Sequence, residues 1–465
     1  MLYKDCEKLL EGFQPSFDFI EPKPIPEEEL NERVLHIRRE AAVAGHDVTI
    51  VNANGSVNYH TTNHYLRYLC DWNREGMLIV PTDRRKGMRL FSFYTQAVLL
   101  PPSWGEAVGV EKLYQVGALG IEYSGRPGTS DKQLIAGVVS ALKEMGYERG
   151  SIGLIGDGSS AGHWAAIRKE LPGAEFADET HVIMEMQRLR TPAEIDQIRA
   201  SAQLMEIGFE AAVHVCRPGV TDWEMYAAYS YAQLARGGEN ADGYQIGVNR
   251  WGTHCGKAYG HVITSGDLIN LYISGISYRG YSAQIARMIA VGDITDRQEE
   301  ALEVCTEGLR RAEKRIRPGV RICDINRAGF EPFVEHGFLK DDYMPDMPYN
   351  WAPNADLSAL EIPLQYVPDA DLEKRGRRLM HVYPPVAGPH NPNLGHGIGM
   401  DSADKFNVTS ENTDFCEPGL AFVLHPQWLV PLECGANIGN SYVVTEDGYE
   451  NLSCHTPIET IRIKA

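Results

Sequence analysis

The stretch Gly266–Gly292, GDLINLYISGISYRGYSAQIARMIAVG, decides the fold when taken with Gly395-His396-Gly397-Ile398-Gly399 and Phe422-Val423-Leu424-His425-Pro426. It reads as two apolar-rich strands joined by a turn containing Gly and Ser, a hairpin pattern. Side chains alternate along a strand, so Asn270, Tyr272 and Ser274 share one face while Ile269, Leu271 and Ile273 share the other. A polar row inside an apolar hairpin has two readings, a pocket wall or an edge strand with one wet face.

Outward from the hairpin, further motifs follow in order. Gly280-Tyr281 leads to Ile285 and Arg287 on the second strand, G-H-G-I-G comes next, and Glu417-Pro418-Gly419 precedes Phe422 and Pro426. Upstream lie Arg190-Thr191-Pro192-Ala193-Glu194-Ile195, with Ile198-Arg199, and two R-P-G turns at Arg217–Gly219 and Arg317–Gly319; Val443-Val444-Thr445-Glu446-Asp447-Gly448 closes the series. This order resembles the pita-bread superfamily of methionine aminopeptidase, aminopeptidase P, prolidase and creatinase. The implied fold is α/β (α+β): an N-terminal creatinase-like α/β domain over residues 1–185, then a C-terminal pita-bread domain over 186–465, with a curved antiparallel sheet flanked by helices. The resemblance also implies a homodimer.

In the metallopeptidases of that superfamily two metal ions are held by two Asp, one His and two Glu. The corresponding positions here are Tyr272 or a residue beside it (the hairpin turn is one residue longer than usual), Gln284, His396, His425 and Gly439. Four of the five ligands are replaced. Paired divalent ions need carboxylate oxygens to offset their charge, so the expectation is no metal and no other cofactor. A single zinc or copper ion on His396, His425 and a third His is the one metal arrangement these residues leave open.

The 465 residues suffice for two or three domains, and 44 Lys and Arg against 63 Asp and Glu give a net charge of −19. An acidic surface of this kind argues against nucleic-acid or anionic-membrane partners. With neither a leader pattern nor a membrane-length apolar run, the expected location is cytoplasmic. The nine Cys include no C-x-x-C pair and read as reduced, mostly buried thiols. Cys255, beside His254, is a candidate nucleophile, but sequence neighbours seldom face each other.

Residues 1 to about 25 read as an arm of the kind that packs on a partner subunit. Helical periodicity follows over Glu27–Ala44, then strands at Val48–Val51 and Met77–Val80, a strand near Val116–Tyr123, a helix over Ser130–Met145 and a strand at Ser151–Ile155. Gly156-Asp157-Gly158 reads as a plain strand-to-helix turn. A strand is expected near 180–190, a long helix from Thr191-Pro192, and further helices over Trp223–Leu234 and Gln298–Ile316. An aromatic insertion at about 330–392, carrying Tyr343, Tyr349, Trp351, Tyr366 and Tyr383, reads as a lid, a pocket wall or added dimer interface.

With the carboxylates gone, the histidines stand out. His254 lies near where the resemblance places a substrate-facing His; His396 and His425 come from strands implied to line the same pocket, and His261 and His390 are looser candidates. Imidazole serves as base or acid near neutral pH. The expected enzyme is a metal-independent, creatinase-like hydrolase that cleaves a carbon–nitrogen bond in a small non-peptide substrate. His254, His396 and His425 would be catalytic, and Tyr272, Gln284, Arg287, His261, His390 and Asn437 would bind substrate. The alternatives are a metal-independent lyase on the same scaffold and a non-catalytic binding pseudo-peptidase.

Overall fold

Helix α1 (Glu27–Ala44) buries Leu30, Val34, Ile37 and Ala41, the spacing read from the sequence, and ends where Gly45 turns left-handed at φ 79°. It belongs to the first of two compact units, Lys23–Glu194. The computed structural model describes residues 8–54, 63–93, 105–116, 129–240, 246–249, 257–338, 361–363, 379–381, 393–400, 404–430 and 434–465. In the first unit β1 (Val48–Ala53), β2 (Gly76–Pro81), β3 (Met88–Phe93), β4 (Val110–Val116), β5 (Ser151–Ile155) and β6 (Glu175–Asp178) form one mixed sheet in the order β4-β3-β2-β1-β5-β6. Helices α2 (Tyr65–Cys70), α3 (Thr129–Glu144), α4 (Ala161–Glu170) and α5 (Thr180–Met186) complete it. Leu134, Val138 and Leu142, on one stripe of α3, pack with Ile50, Ile79 and Phe91 of the sheet.

Two sequence readings shift here. Of the strand expected near Val116–Tyr123 only Val116 is described, as the last residue of β4, and 117–123 lie outside the described residues; the segment expected as a strand near 180–190 is helix α5, whose Val182 and Ile183 are buried on one helical side. The division expected between 185 and 186 also falls early, because Glu194 pairs with Arg33 at 3.4 Å and Thr191 Oγ1 donates to Glu29 at 2.8 Å.

The second unit comprises Ile195–Ala465 together with the N-terminal segment ending at Pro22. The described part of that segment packs on its own chain. Leu10, Phe13, Phe17 and Phe19 cover Ile207, Ala211 and Ala232, and the Phe17 ring stacks on His455 with centroids 3.9 Å apart. The apolar rings of the arm find an apolar helix face within the same chain.

Two helix pairs repeat in this unit. Helices α6 (Pro192–Val215) and α7 (Asp222–Leu234) flank the first R-P-G turn, and α8 (Asp296–Glu313) and α9 (Ile322–Glu335) flank the second. Gly219 (φ 92°) and Gly319 (φ 78°) adopt the left-handed backbone each turn needs. Their N–H groups donate to Ile263 and Cys416, and the same two residues donate back to Val220 and Val320. Helix α9 carries the chain five residues past the expected start of the insertion at 330. Cys70, Cys216, Cys305, Cys323 and Cys416 are buried thiols, and Cys454 is exposed. None of the described helices is long and apolar enough to cross a membrane.

Short strands β7 (Glu239–Asn240) and β8 (Gly247–Val248) pair with β9 (Asp267–Tyr278), which pairs with β10 (Tyr281–Val291). Strands β11 (Glu361–Pro363) and β12 (Leu379–His381) pair with each other. Beyond them, β13 (Gly395–Gly397), β14 (Asp404–Asn407), β15 (Ala421–Leu424), β16 (Gln427–Val430), β17 (Cys434–Asn437), β18 (Asn440–Val444), β19 (Tyr449–Asn451) and β20 (Ile461–Ile463) complete the chain. β20 runs parallel to β10.

Candidate active site

The β9–β10 turn is Arg279–Gly280, with φ of 51° and 81°, the two-residue geometry that suits twisted hairpins. For the turn containing Gly and Ser that the sequence suggests, the structure has Arg279–Gly280, while Gly275 and Ser277 belong to β9. There the register slips: two residues on β9 oppose one on β10 between the Ser274/Gln284 and Ser277/Ser282 pairs. The extra residue expected at the turn is therefore absorbed as a bulge. Before the bulge the register is regular, with Tyr272 opposite Ala286 and Asn270 opposite Met288.

A bridge between Ala286 and Gly439 then extends this sheet into the next, with reciprocal N–H to O bonds of 3.1 and 3.0 Å. β15 and β18 pair with Leu424 opposite Asn440, and β16 and β17 continue in the same register with Gln427 opposite Asn437, which sets His425 opposite Gly439. β13 adds His396 opposite Val423, and His425 N–H donates to the Leu394 carbonyl at 2.8 Å. Residues facing each other across an antiparallel ladder share a face. Three rows therefore lie side by side: Ser274, Gln284, Ser441, Val423 and His396; then Tyr272, Ala286, Gly439, His425 and Leu394; then Asn270, Met288, Asn437 and Gln427.

This register brings five of the expected site residues together. Tyr272 Oη donates to Gln284 Oε1 at 2.6 Å. The His425 ring stands edge-on to Tyr272 and to His396, with centroids 5.5 and 5.4 Å apart. His396 Nδ1 lies 2.9 Å from the Gly397 carbonyl, which can only accept, so the proton sits on Nδ1 and the neutral ring keeps its lone pair on Nε2. Ser441 Oγ donates to the Gln284 carbonyl at 2.8 Å and accepts from its N–H at 3.0 Å, fixing that segment of β10. Asn437 is fully buried, and neither Nδ2 nor Oδ1 has a hydrogen-bond partner among the described residues.

Arg287 does not join them. Three residues from Gln284 along a strand, it points through the opposite face, where it is 0% exposed. Its Nε donates to Thr456 Oγ1 (3.1 Å), Nη1 to the carbonyls of Ala286 (3.0 Å) and Gly439 (2.5 Å), and Nη2 to Asn440 Oδ1 (2.8 Å) and the carbonyls of Ser453 and Thr456 (3.2 Å each). It is a tie behind the sheet and not a substrate ligand. His261 also stands apart: its Nε2 lies 2.7 Å from Asp267 Oδ2, at the start of β9, five residues along the strand from Tyr272 and thus roughly 17 Å away. His254, Cys255 and His390 lie outside the described residues. The sequence reading left Ser441 and Gln427 out of the site; alternation from His425 would have reached Gln427, but only the long-range register reveals Ser441.

Residues 196–446 match the model of metallopeptidase family M24. The chain belongs to this family. A protein of Sinorhizobium fredii described as an uncharacterised hydrolase/peptidase is 30% identical over 46% of this chain and 56% of its own length. The creatinase of Bacillus sp. strain B-0618 is 24% identical over 67% of this chain and 72% of its own. Among solved structures, the Xaa-Pro dipeptidase from Bacillus anthracis superposes with a TM-score of 0.67 at 20% identity, covering 93% of this chain and 100% of that one. The likeness to solved structures establishes the M24 architecture of an α/β N-terminal domain and a pita-bread C-terminal domain.

A carboxylate-bridged pair of ions does not fit the donors this M24 member offers. The five positions hold a phenol, a carboxamide, two imidazoles and a glycine. At Gly439 there is no room for a ligand side chain, since a Cβ would come within 2.8 Å of both His425 Cβ and the Leu424 carbonyl oxygen. His425 Cβ and Cα occupy the space above Gly439. Gly439→Ala is accordingly expected to cost about 1–3 kcal/mol by overpacking, read as a lowered midpoint in urea unfolding.

Proposed function

We propose that this M24 protein is a metal-independent, creatinase-like hydrolase that cleaves a carbon–nitrogen bond in a small, non-peptide substrate by imidazole acid–base catalysis. The observation that supports this most is the face on which His396, His425, Tyr272, Gln284 and Asn437 converge with no carboxylate in their three described rows. In the proposed reaction His254 takes a proton from water, the water oxygen bonds to the substrate carbon, and the carbon–nitrogen bond breaks as a second imidazole gives its proton to the departing nitrogen. His396 suits the second role in its imidazolium form: Nδ1–H stays on the Gly397 carbonyl, the ring is only half-buried, and the second proton, on Nε2, is the one given to the nitrogen. Tyr272, Gln284 and Asn437 orient the substrate.

Metal analysis of protein purified without chelator or added metal tests the reading. The expected content is less than about a tenth of an ion per subunit, since a site without carboxylates has little to hold a divalent pair, with turnover unchanged by chelator. His254→Ala is expected to abolish turnover with the fold intact. About one tightly held ion per subunit, or full activity in His254→Ala, would overturn the mechanism.

A further inference from the structure

We infer that the site engages its substrate through a neutral carboxamide or ureido group, and that Asn437 is the residue that reads it; this rests on the hydrolytic reading above and narrows its substrate class. Asn437 is 0% exposed, yet its Nδ2 and Oδ1 are both without a hydrogen-bond partner among the described residues. Burying an amide unsatisfied is costly, and buried polar groups in folded proteins are nearly always paired. On the face shared with His425, that missing pairing is assigned to the substrate.

Its position gives the same answer. Asn437 and Gly439 lie two residues apart on one face, and the bare Cα of Gly439 abuts His425. A group bonded to Asn437 thus sits roughly 7 Å along the strand from the His425 row, the reach of a small molecule.

The chemistry Asn437 offers is specific. Asn437 presents one acceptor and one donor group side by side. A carboxamide or urea answers both, with its N–H to Oδ1 and its carbonyl to Nδ2. A guanidinium offers donors only and leaves Nδ2 unpaired; a carboxylate offers acceptors only and leaves Oδ1 unpaired. Charge points the same way at Asn437: its own row, Asn270, Met288, Asn437 and Gln427, holds no ionisable side chain, and Arg287 spends its donors behind the sheet. An ionic group entering here would be desolvated without a counter-charge.

Four probes sharing one alkyl chain test this by titration calorimetry at neutral pH: pentanamide, butylurea, butylguanidinium and pentanoate. The full-length wild-type protein is expected to bind the first two at least about tenfold more tightly than the others, the scale of a hydrogen bond left unmade. Asn437→Asp keeps the shape but removes the donor, and is expected to reverse the order in favour of butylguanidinium; Asn437→Leu is expected to abolish the discrimination. Equal affinities for all four probes in the wild type, or an unchanged order in Asn437→Asp, would overturn the proposal. Because binding is read without turnover, a failed amide preference leaves the hydrolytic reading standing, and absent hydrolysis leaves the binding result intact.

Discussion

Arg287→Met is expected to destabilise the protein by about 3–5 kcal/mol, the scale for breaking a buried ion pair by removing one partner. Arg287 and Glu206 are both 0% exposed, with Nη2 and Oε1 4.0 Å apart. Glu206 Oε1 also accepts from the backbone N–H groups of His455 and Thr456 (2.8 Å each) and from Thr456 Oγ1 (2.9 Å). Methionine fills the volume but supplies no charge, so Glu206 must remain as an uncompensated buried anion or take up a proton. Six acceptors also lose one donor each, among them the Gly439 carbonyl, which keeps only the Ala286 N–H. Adding Glu206→Gln to Arg287→Met is expected to recover the electrostatic part of the loss and not the hydrogen bonds. Urea unfolding of the two single variants and the double variant gives the partition.

The loss has a pH signature. Burial holds Glu206 above the usual carboxylate range, opposed by the Arg287 charge and by the donors of Thr456. Between its unfolded and folded values the native state binds more protons than the unfolded one, so this group's contribution to stability falls as pH rises through that window. Removing the opposing cation pushes the folded value further up and widens the window upward. The gap between wild type and Arg287→Met is therefore expected to be smaller at pH 5 than at pH 8. An equal gap at both would assign the whole loss to hydrogen bonds and packing.

How much of this was legible in the sequence follows from the range of each signal. Alternation within a strand is local, so the polar face of Asn270 and Tyr272 could be read directly, and so could α1, α6 and α7, with their helical spacing and cap residues. The same local rule contained the correction for Arg287, since residues three apart on a strand cannot share a face with Gln284. Pairings across long separations left no local trace. That Ala286 meets Gly439, and that His425 therefore meets Gly439, depends on a bridge spanning more of the chain than any periodicity covers. Where local preference misled, tertiary context had overridden it: the apolar Val182-Ile183 pair suits a strand, yet in α5 it packs as one side of a helix.

The register also bears on which imidazole hands over the proton. His425 is 1% exposed, held edge-on between Tyr272 and His396, and a cation there would meet no carboxylate among the described residues of its face. His396 is half-buried and oriented through Nδ1, so its Nε2 can carry and release a proton. His396→Gln keeps a polar group in the strand but cannot transfer a proton. It is expected to lower kcat by about 10²–10⁴, the usual contribution of a positioned general acid, with little change in KM. Leaving-group chemistry separates this role from a structural one. If His396 protonates the departing nitrogen, the loss must shrink for substrates whose leaving amine departs without protonation, such as a nitroanilide, and stay large for an alkylamine. An equal loss on both would mean that His396 positions the sheet or the substrate and that the acid is another group. His425→Gln, tested on the same pair, is expected to fall equally on both, because His425 orients its neighbours and does not donate the proton.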